Sequence, residues 1–549
     1  MSSGGDTTME VPGRPNIVFA FADDWGRYAS AYAAHQPPGG LNELLSTPHF
    51  DRVAREGALF LNALVPAPSC TPCRSSILAG QYFWQTGLGA ILMGAVWDES
   101  IPTFPLVLEA EAGYVIGHTY KVWSPGMTMN APMGGRRTAF NPAGYDFNQF
   151  SHWVTEHATD FAPGRAGVEL AKQAMYDETR ANVRSFLDAV PADRPFCYWW
   201  GPTNTHRTWE RGSGRALWGI EPDDLAGRLP AFLPDVHDVR EDAADYLGEC
   251  LATDAGLGIL IEELERAGVL DDTLLVVSGD HGIPGMPRAK CNLYDIGCEV
   301  ALAARWPGRI SPGRVIDDFV NLMDLAPTFC EAGGVPIPAT MSARSLLPVL
   351  ASDASGQVDP DRDRVITGRE RHIAHAREGM LPYPQRSVRT RDFIYIINFE
   401  PDRWPMGDPL GLDGFDERPA PSAEQLRDDT FVTFRDMDAS PTKAWLITHR
   451  EDHDVEPLYA LAFGKRPREE LYDLRIDPHY LTNVAAEPAY AEVRARLERM
   501  LLDELEAHDD PRLTEQPCRY EFEPYAGRVP RVWFEAAAEE QELFNPARE

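Results

Sequence analysis

The chain has 549 residues, 44% apolar and 25% charged, enough for one large buried core and a second smaller one, and this balance excludes a disordered or fibrous class. Its 84 acidic and 51 basic side chains give a net charge of −33, which excludes nucleic acid and long polyanions as partners and restricts an anionic substrate to a small one held in a local basic pocket. No apolar leader core and no apolar run of about eighteen residues occurs, so a soluble, cytoplasmic protein without membrane contact is expected; the eight cysteines are read as reduced thiols.

The first element is a continuous β-prone apolar run at residues 16–21, as expected of a strand buried on both faces of a parallel sheet. Asp23 and Asp24 follow at its C-terminal end, the edge at which open α/β sheets bind ligands. Adjacent carboxylates repel unless a cation lies between them, which makes the pair a candidate for one divalent ion; taken alone, the plainer reading is a turn with a capping aspartate. Thr47 and Pro48 open a short helix to residue 56, and a strand over 58–65 leads into a proline-broken segment. Cys70 stands after that break and before a helical run, where backbone N–H groups favour an anion. A cysteine there is a low-pKa thiolate, a metal ligand or a small buried hydrophobe.

Residues 113–121 read as a strand ending in Lys121, and 195–200 as another, followed by His206 and Arg207. A helix over 245–267 carries Leu247, Leu251, Leu257, Leu260 and Ile261 near helical spacing. A strand from 273 ends in Asp280 and His281, Lys290 follows within ten residues, and 299–306 is one more strand. Cys291 and Cys298 lack partners at zinc spacing and read as ordinary thiols. The polar stretch 351–364 is a linker. Beyond it, a strand at 393–397, a strand and turn at 470–478 and a helix at 489–506 describe a smaller antiparallel domain, with Arg371, His372 and Arg386 ahead of that first strand.

Cys70, Pro72 and Arg74 form a C-x-P-x-R pattern. With Asp23 and Asp24 before it, and Lys121, His206, Asp280, His281 and Lys290 after it in that order, the chain resembles the type I sulfatases of the alkaline-phosphatase-like superfamily over about residues 14–500. Arg207 beside His206, and Asn292, Leu293 and Tyr294 after Lys290, resemble the sulfamidase branch in particular. The resemblance implies an α/β fold in which a mixed sheet is sandwiched by helices, followed by a smaller C-terminal α+β domain with an antiparallel sheet. The expected division is a tail at 1–14, a catalytic domain at 15–365, a subdomain at 366–510 and an extension at 511–549. The acidic, aromatic extension suits surface wrapping or homo-oligomer contact.

The resemblance further implies that a formylglycine-generating enzyme oxidises Cys70 to formylglycine. Asp23, Asp24, Asp280, His281 and the oxidised Cys70 side chain would then hold one divalent ion, calcium first, with magnesium or manganese as alternatives. Arg74, Lys121 and Lys290 would stabilise the transferring sulfuryl group, and His206 would protonate the leaving atom. One hydroxyl of the hydrated aldehyde attacks sulfur and the other expels sulfate. Where the family carries a histidine shortly after the lysine, this chain has Val122, Trp123 and Ser124, and His118 is the candidate substitute. His118, Arg207, Arg371, His372 and Arg386 are the substrate-binding candidates. The expected activity is release of sulfate from a small sulfate ester or sulfamate, a sugar sulfate or an N-sulfoglucosamine-like compound. A phosphonate monoester or phosphodiester hydrolase is the alternative, because sulfuryl and phosphoryl groups share shape and charge; a catalytically silent anion-binding protein is the third.

Overall fold

A computed structural model describes residues 14–527; most of the expected N-terminal tail and the extension beyond residue 527 lie outside them. Strands β1 (Asn16–Ala22), β2 (Ala58–Leu64), β3 (Val115–Tyr120), β4 (Phe196–Gly201), β5 (Thr273–Gly279), β6 (Leu302–Arg305) and β7 (Arg314–Asn321) form one sheet in the order β3-β4-β1-β5-β6-β2-β7. β6 runs antiparallel to both neighbours and all other pairings are parallel. Apolar residues alternate faces along β1. Ile17, Phe19 and Phe21 join a core with Leu108 and Phe329 from the helices Phe104–Ala112 and Leu325–Ala332. Val18, Ala20 and Ala22 join another with Phe50, Phe186 and Leu257 from the helices Pro48–Glu56, Arg165–Leu187 and His237–Arg266. Cover on both sides is why these strands are apolar throughout.

The long helix begins at His237, eight residues before the expected start at 245, because its first two turns are mostly charged and lack the apolar spacing that marks the rest. No helix among the described residues is long and apolar enough to cross a membrane. All eight cysteines are unpaired and buried.

Strands β8 (Arg364–Arg369), β9 (Gln385–Thr390), β10 (Phe393–Asn398) and β11 (Glu469–Asp473) form an antiparallel sheet in the order β11-β10-β9-β8. Leu497, Leu501 and Leu505, four residues apart on the helix Ala491–Ala507, pack against Ile366, Val388 and Tyr395 of that sheet. Between β10 and β11, residues 399–468 carry three further short helices and their own apolar cluster around Phe434 and Phe463. The sequence reading of one sheet and one helix did not contain this insertion.

Arg386 is corrected here. It lies in β9 with no exposed surface, its Nε donating to Asp510 Oδ2 at 2.5 Å and its Nη2 to Glu370 Oε1 at 2.8 Å, while Glu370 also accepts from Arg512 Nη2 at 2.6 Å. This buried quartet stitches the segment after the last long helix onto the second sheet, so Arg386 does not face a substrate. Replacing Arg386 with alanine leaves two carboxylates underpaired and should cost about 3–5 kcal/mol in urea unfolding. A rise in KM with an unchanged unfolding midpoint would instead restore a substrate-binding role.

The His237–Arg266 helix also buries carboxylates that tie loops to it. Glu249 Oε2 accepts from Asn204 Nδ2 at 3.0 Å, and Asp254 Oδ1 accepts from the Phe50 N–H at 2.7 Å. Burial pushes both carboxyls up to about 7 against these hydrogen bonds. The folded protein therefore binds these protons more tightly than the unfolded chain does. The stability they contribute is full below about pH 4 and is lost as the pH rises to about 7. Urea midpoints measured from pH 5 to 7 should fall less steeply for Glu249→Gln than for the parent; parallel slopes would show that Glu249 is ionised throughout.

Candidate active site

The loops after β1, β2, β3, β4 and β5 meet at one edge of the large sheet. The Asp23 N–H donates to Pro202 O at 2.9 Å and the Asp280 N–H to Ala22 O at 3.2 Å, which ties the ends of β1, β4 and β5 together. Asp24 takes the left-handed conformation at φ 55, which aspartate tolerates better than most side chains. Its N–H donates to Asp280 Oδ1 at 2.7 Å and its carbonyl accepts from the Tyr246 hydroxyl at 2.9 Å. Gly201 ends β4 where a Cβ would sit 1.9 Å from Lys121 O; the missing side chain lets the end of β3 close on β4 and bring Lys121 to the edge. Cys70 is the first residue of the helix Cys70–Ala79, which ends at Gly80 with φ 61, a common left-handed stop. Cys70 Sγ lies 3.4 Å from His281 Nε2.

Asp23, Asp24 and Asp280 are buried together, with carboxylate oxygens within 4.8 Å of one another. Arg74, without exposed surface, donates from Nε to Asp280 Oδ2 at 2.8 Å, from Nη2 to Asp23 Oδ1 at 3.0 Å and from Nη1 to Val122 O at 3.0 Å. Its N–H groups are directed at the carboxylate cluster, so Arg74 braces Asp23 and Asp280 in the same way that Lys121 and Lys290 pair with Asp23 and Asp24. Lys121 Nζ lies 2.8 Å from both Asp23 oxygens, and Lys290 Nζ lies 2.9 Å from Asp24 Oδ2 and 3.4 Å from Asp438 Oδ2. His206, about a third exposed, has its Nε2 3.9 Å from Asp24 Oδ2, and its Nδ1 lies 2.6 Å from Arg207 O.

Burial works to raise the Asp23 carboxyl, but Lys121 and Arg74 outweigh it and hold the group well below the usual carboxylate range. Asp280 goes the other way, raised by burial and by Asp23 and Asp24 despite His281 and Arg74. Burial and Asp23 push the Cys70 thiol well above its ordinary value. Burial would lower Lys290, but Asp24 and Asp438 hold it well above its usual value.

The residues present fit a divalent cation. Asp24 Oδ1 is buried, makes no hydrogen bond and has His281 Nδ1 3.1 Å away, and it lies with Cys70 Sγ and a His281 nitrogen in a second group of ligand atoms within 4.8 Å of one another. Three carboxylates and an imidazole suit a hard or borderline ion.

The remaining candidates scatter. His118 lies within β3, its pKa lowered by burial, and none of its polar contacts is to the carboxylate cluster; it does not stand in for the histidine missing after Lys121. The imidazole against Cys70 is His281. Arg207 turns away from the edge to pair with Asp242 at 2.7 Å and to lie over the Trp209 ring. Arg371 Nη2 donates to Gly527 O at 3.3 Å and its Nη1 to Tyr525 O, which spends it on the C-terminal segment. Arg207 is corrected as a substrate contact because its charge is engaged by Asp242, whereas Arg371 donates to backbone carbonyls and has no acidic partner among the described residues. His372 stays close: its Nδ1 is 2.8 Å from Ser69 Oγ beside Cys70, and burial pushes its pKa down to about 3, so it is neutral. Sequence reasoning missed Asp438, which comes from the 399–468 insertion and sits in a polar stretch without a flanking strand to mark it.

A family model described as Sulfatase matches residues 15–335. Among curated proteins, the chain is 27% identical to human N-sulphoglucosamine sulphohydrolase over 90% of each chain. It is 24% identical to an ulvan-active sulfatase of Formosa agariphila over 90% of this chain and 76% of that one. Among solved structures, it is similar to a protein in complex with its substrate D-glucosamine-2-N,6-O-disulfate, with a TM-score of 0.56 at 18% identity over 92% of this chain and all of that one. It is also similar to the phosphonate monoester hydrolase of Agrobacterium radiobacter, with a TM-score of 0.58 at 19% identity over 90% and 96%.

If the carboxylate cluster binds a cation, chelator-treated protein should gain about 2.7 kcal/mol of stability with calcium at a hundred times its Kd. The readout is the thermal midpoint, and Asp24→Asn should lose the shift. An equal shift in that variant would move the binding to the acidic surface.

Proposed function

This chain belongs to the sulfatase family, whose members hydrolyse sulfate esters and sulfamates, and from that premise we propose that it frees sulfate from a small sugar sulfate or an N-sulfoglucosamine-like sulfamate, using one divalent cation and a formylglycine made from Cys70. The observation that carries the reading is the meeting of Cys70 with three carboxylates, His281, Lys121 and Lys290 in one buried cluster at the sheet edge. The relatives' amino-sugar substrates favour the sugar-type leaving group over an aryl one.

Asp23, Asp24, Asp280, His281 and the position-70 side chain would hold the cation, calcium in the first place, which would supply Lewis-acid polarisation of the sulfuryl oxygens. Hydrated formylglycine would supply the attacking oxygen. The chain's own groups do the rest. The helix Cys70–Ala79 begins at the site, where its positive end would favour the anion, although Pro72 has no N–H and the Cys73 N–H donates to Ser69 O at 2.9 Å. Lys121 and Lys290 flank the site from two sides and offer charge to the sulfuryl oxygens. Arg74 keeps Asp23 and Asp280 apart and oriented. The His206 Nδ1–H donates to Arg207 O, which fixes the ring with Nε2 toward the cleft; as the imidazolium, the ring would give its Nε2 proton to the departing oxygen or nitrogen. Cys70 is 3% exposed, so a formylglycine-generating enzyme would have to act on it before the chain folds.

A second reading, phosphonate monoester or phosphodiester hydrolysis, rests on His281 beside Asp280 and Cys70. One preparation separates the readings. The Cys70 peptide should be about 18 Da lighter than the thiol form. The protein should release sulfate from N-sulfoglucosamine faster than it cleaves an aryl phosphonate ester, and Cys70→Ala should remove turnover while leaving the unfolding midpoint intact. Preference for the phosphonate would install the second reading, and near-parent activity in Cys70→Ala would sink the formylglycine chemistry.

A further inference from the structure

Asp438 is a charged group of the cleft that none of these steps uses. Its Oδ2 lies 3.4 Å from Lys290 Nζ, its side chain keeps 19% of its surface, and among the described residues it makes no hydrogen bond. Lys290, the largest influence, and Arg207 favour its ionised form against the effect of burial. The segment around it is pinned on both sides. Two residues before it, Asp436 pairs with Arg369 at 2.6 Å and Arg377 at 2.7 Å and accepts from the Ile373 N–H at 2.9 Å. Two residues after it, Ser440 Oγ donates to Gly285 O at 2.7 Å and accepts from the Lys443 N–H at 2.8 Å.

A fixed carboxylate beside the lysine of an anion site works against the anion it helps to receive, because like charges repel. It is not needed to neutralise Lys290, which already has Asp24 at 2.9 Å. The remaining use for its open oxygen is to accept a hydrogen from what the sulfuryl group is attached to, on the side of His206 where the leaving atom departs. We propose that Asp438 sets leaving-group specificity by accepting a hydrogen bond from a hydroxyl or amine on a carbon adjacent to the one that bears the sulfated oxygen or nitrogen. On this assignment, which rests on the sulfatase reading above, the site takes sugar-like leaving groups that carry a donor there and rejects those that present a second anion.

The test is the ratio of kcat/KM for N-sulfoglucosamine to that for 4-nitrophenyl sulfate, which has no such donor, in the parent and in Asp438→Asn. A lost hydrogen bond to a charged group should lower the ratio roughly 10- to 100-fold, chiefly through KM for the sugar. An unchanged ratio, including an equal fall on both substrates, would overturn the proposal and leave Asp438 as a group that positions Lys290. Calorimetric binding of N-sulfoglucosamine to Cys70→Ala protein, with and without Asp438→Asn, needs no turnover. Weaker binding in the double variant from a parent without hydrolase activity would sink the sulfatase reading and keep this inference. Equal binding, or none by either protein, would end it.

Discussion

Asp23, Asp24 and Asp280 lie buried within a few ångström of one another, and the rest of the site is arranged around neutralising them. Three carboxylates at such separations do not ionise together in a low-dielectric interior unless positive charge is brought among them. Arg74 arrives from the helix after β2, Lys121 from the end of β3 and Lys290 from the loop after β5, each within about 3 Å of a carboxylate oxygen. Each cation belongs to a different stretch of chain, so the cluster forms only when the strands are in register. Asp24 Oδ1 is left without a hydrogen bond, and the cation fit rests on that atom.

The scaffold pays attention to the same edge from below. The His237–Arg266 helix packs under β1 and β4, and it reaches two site loops by hydrogen bonds: Tyr246 holds the backbone of Asp24 and Gly26, and Glu249 holds Asn204 two residues before His206. A mutation in this helix therefore acts on the chemistry through loop position, at a distance from the reacting atoms. Glu249 illustrates the trade: its hydrogen bonds to the loop favour the ionised carboxylate while burial favours the protonated one, and burial wins, so the stability of this anchor falls with rising pH.

Much of the fold was legible because the central strands are apolar on both faces. Residues 16–21, 195–200 and 273–282 announce β1, β4 and β5 to within three residues. The antiparallel direction of β6 was not, since a four-residue strand carries no sign of its direction. Asp23, Asp24, Asp280, His281 and Lys121 were found as candidates because each follows a strand, where the sheet itself dictates that side chains gather. Arg207, Arg371 and Arg386 show the limit: an arginine in a polar stretch reads the same whether it awaits an anion or is already paired. Here the partners, Asp242, the backbone near residue 527, and Asp510 with Glu370, are distant in sequence and leave no local trace.

The same reasoning explains why the part of the site nearest the leaving group was invisible. The edge of the large sheet fixes where a sulfuryl group is met, and strand ends advertise that edge. On the proposed role of Asp438, what lies beyond the sulfur is met by the insertion between β10 and β11, whose short helices cluster around Phe434 and Phe463 and whose placement depends on Asp436 finding Arg369 and Arg377. The insertion is held by its own apolar cluster and by ion pairs to Arg369 and Arg377 outside it. Recognition of the reacting group and recognition of its attachment are thus built by separate parts of the chain, and Lys290, paired with Asp24 on one side and Asp438 on the other, is where the two meet.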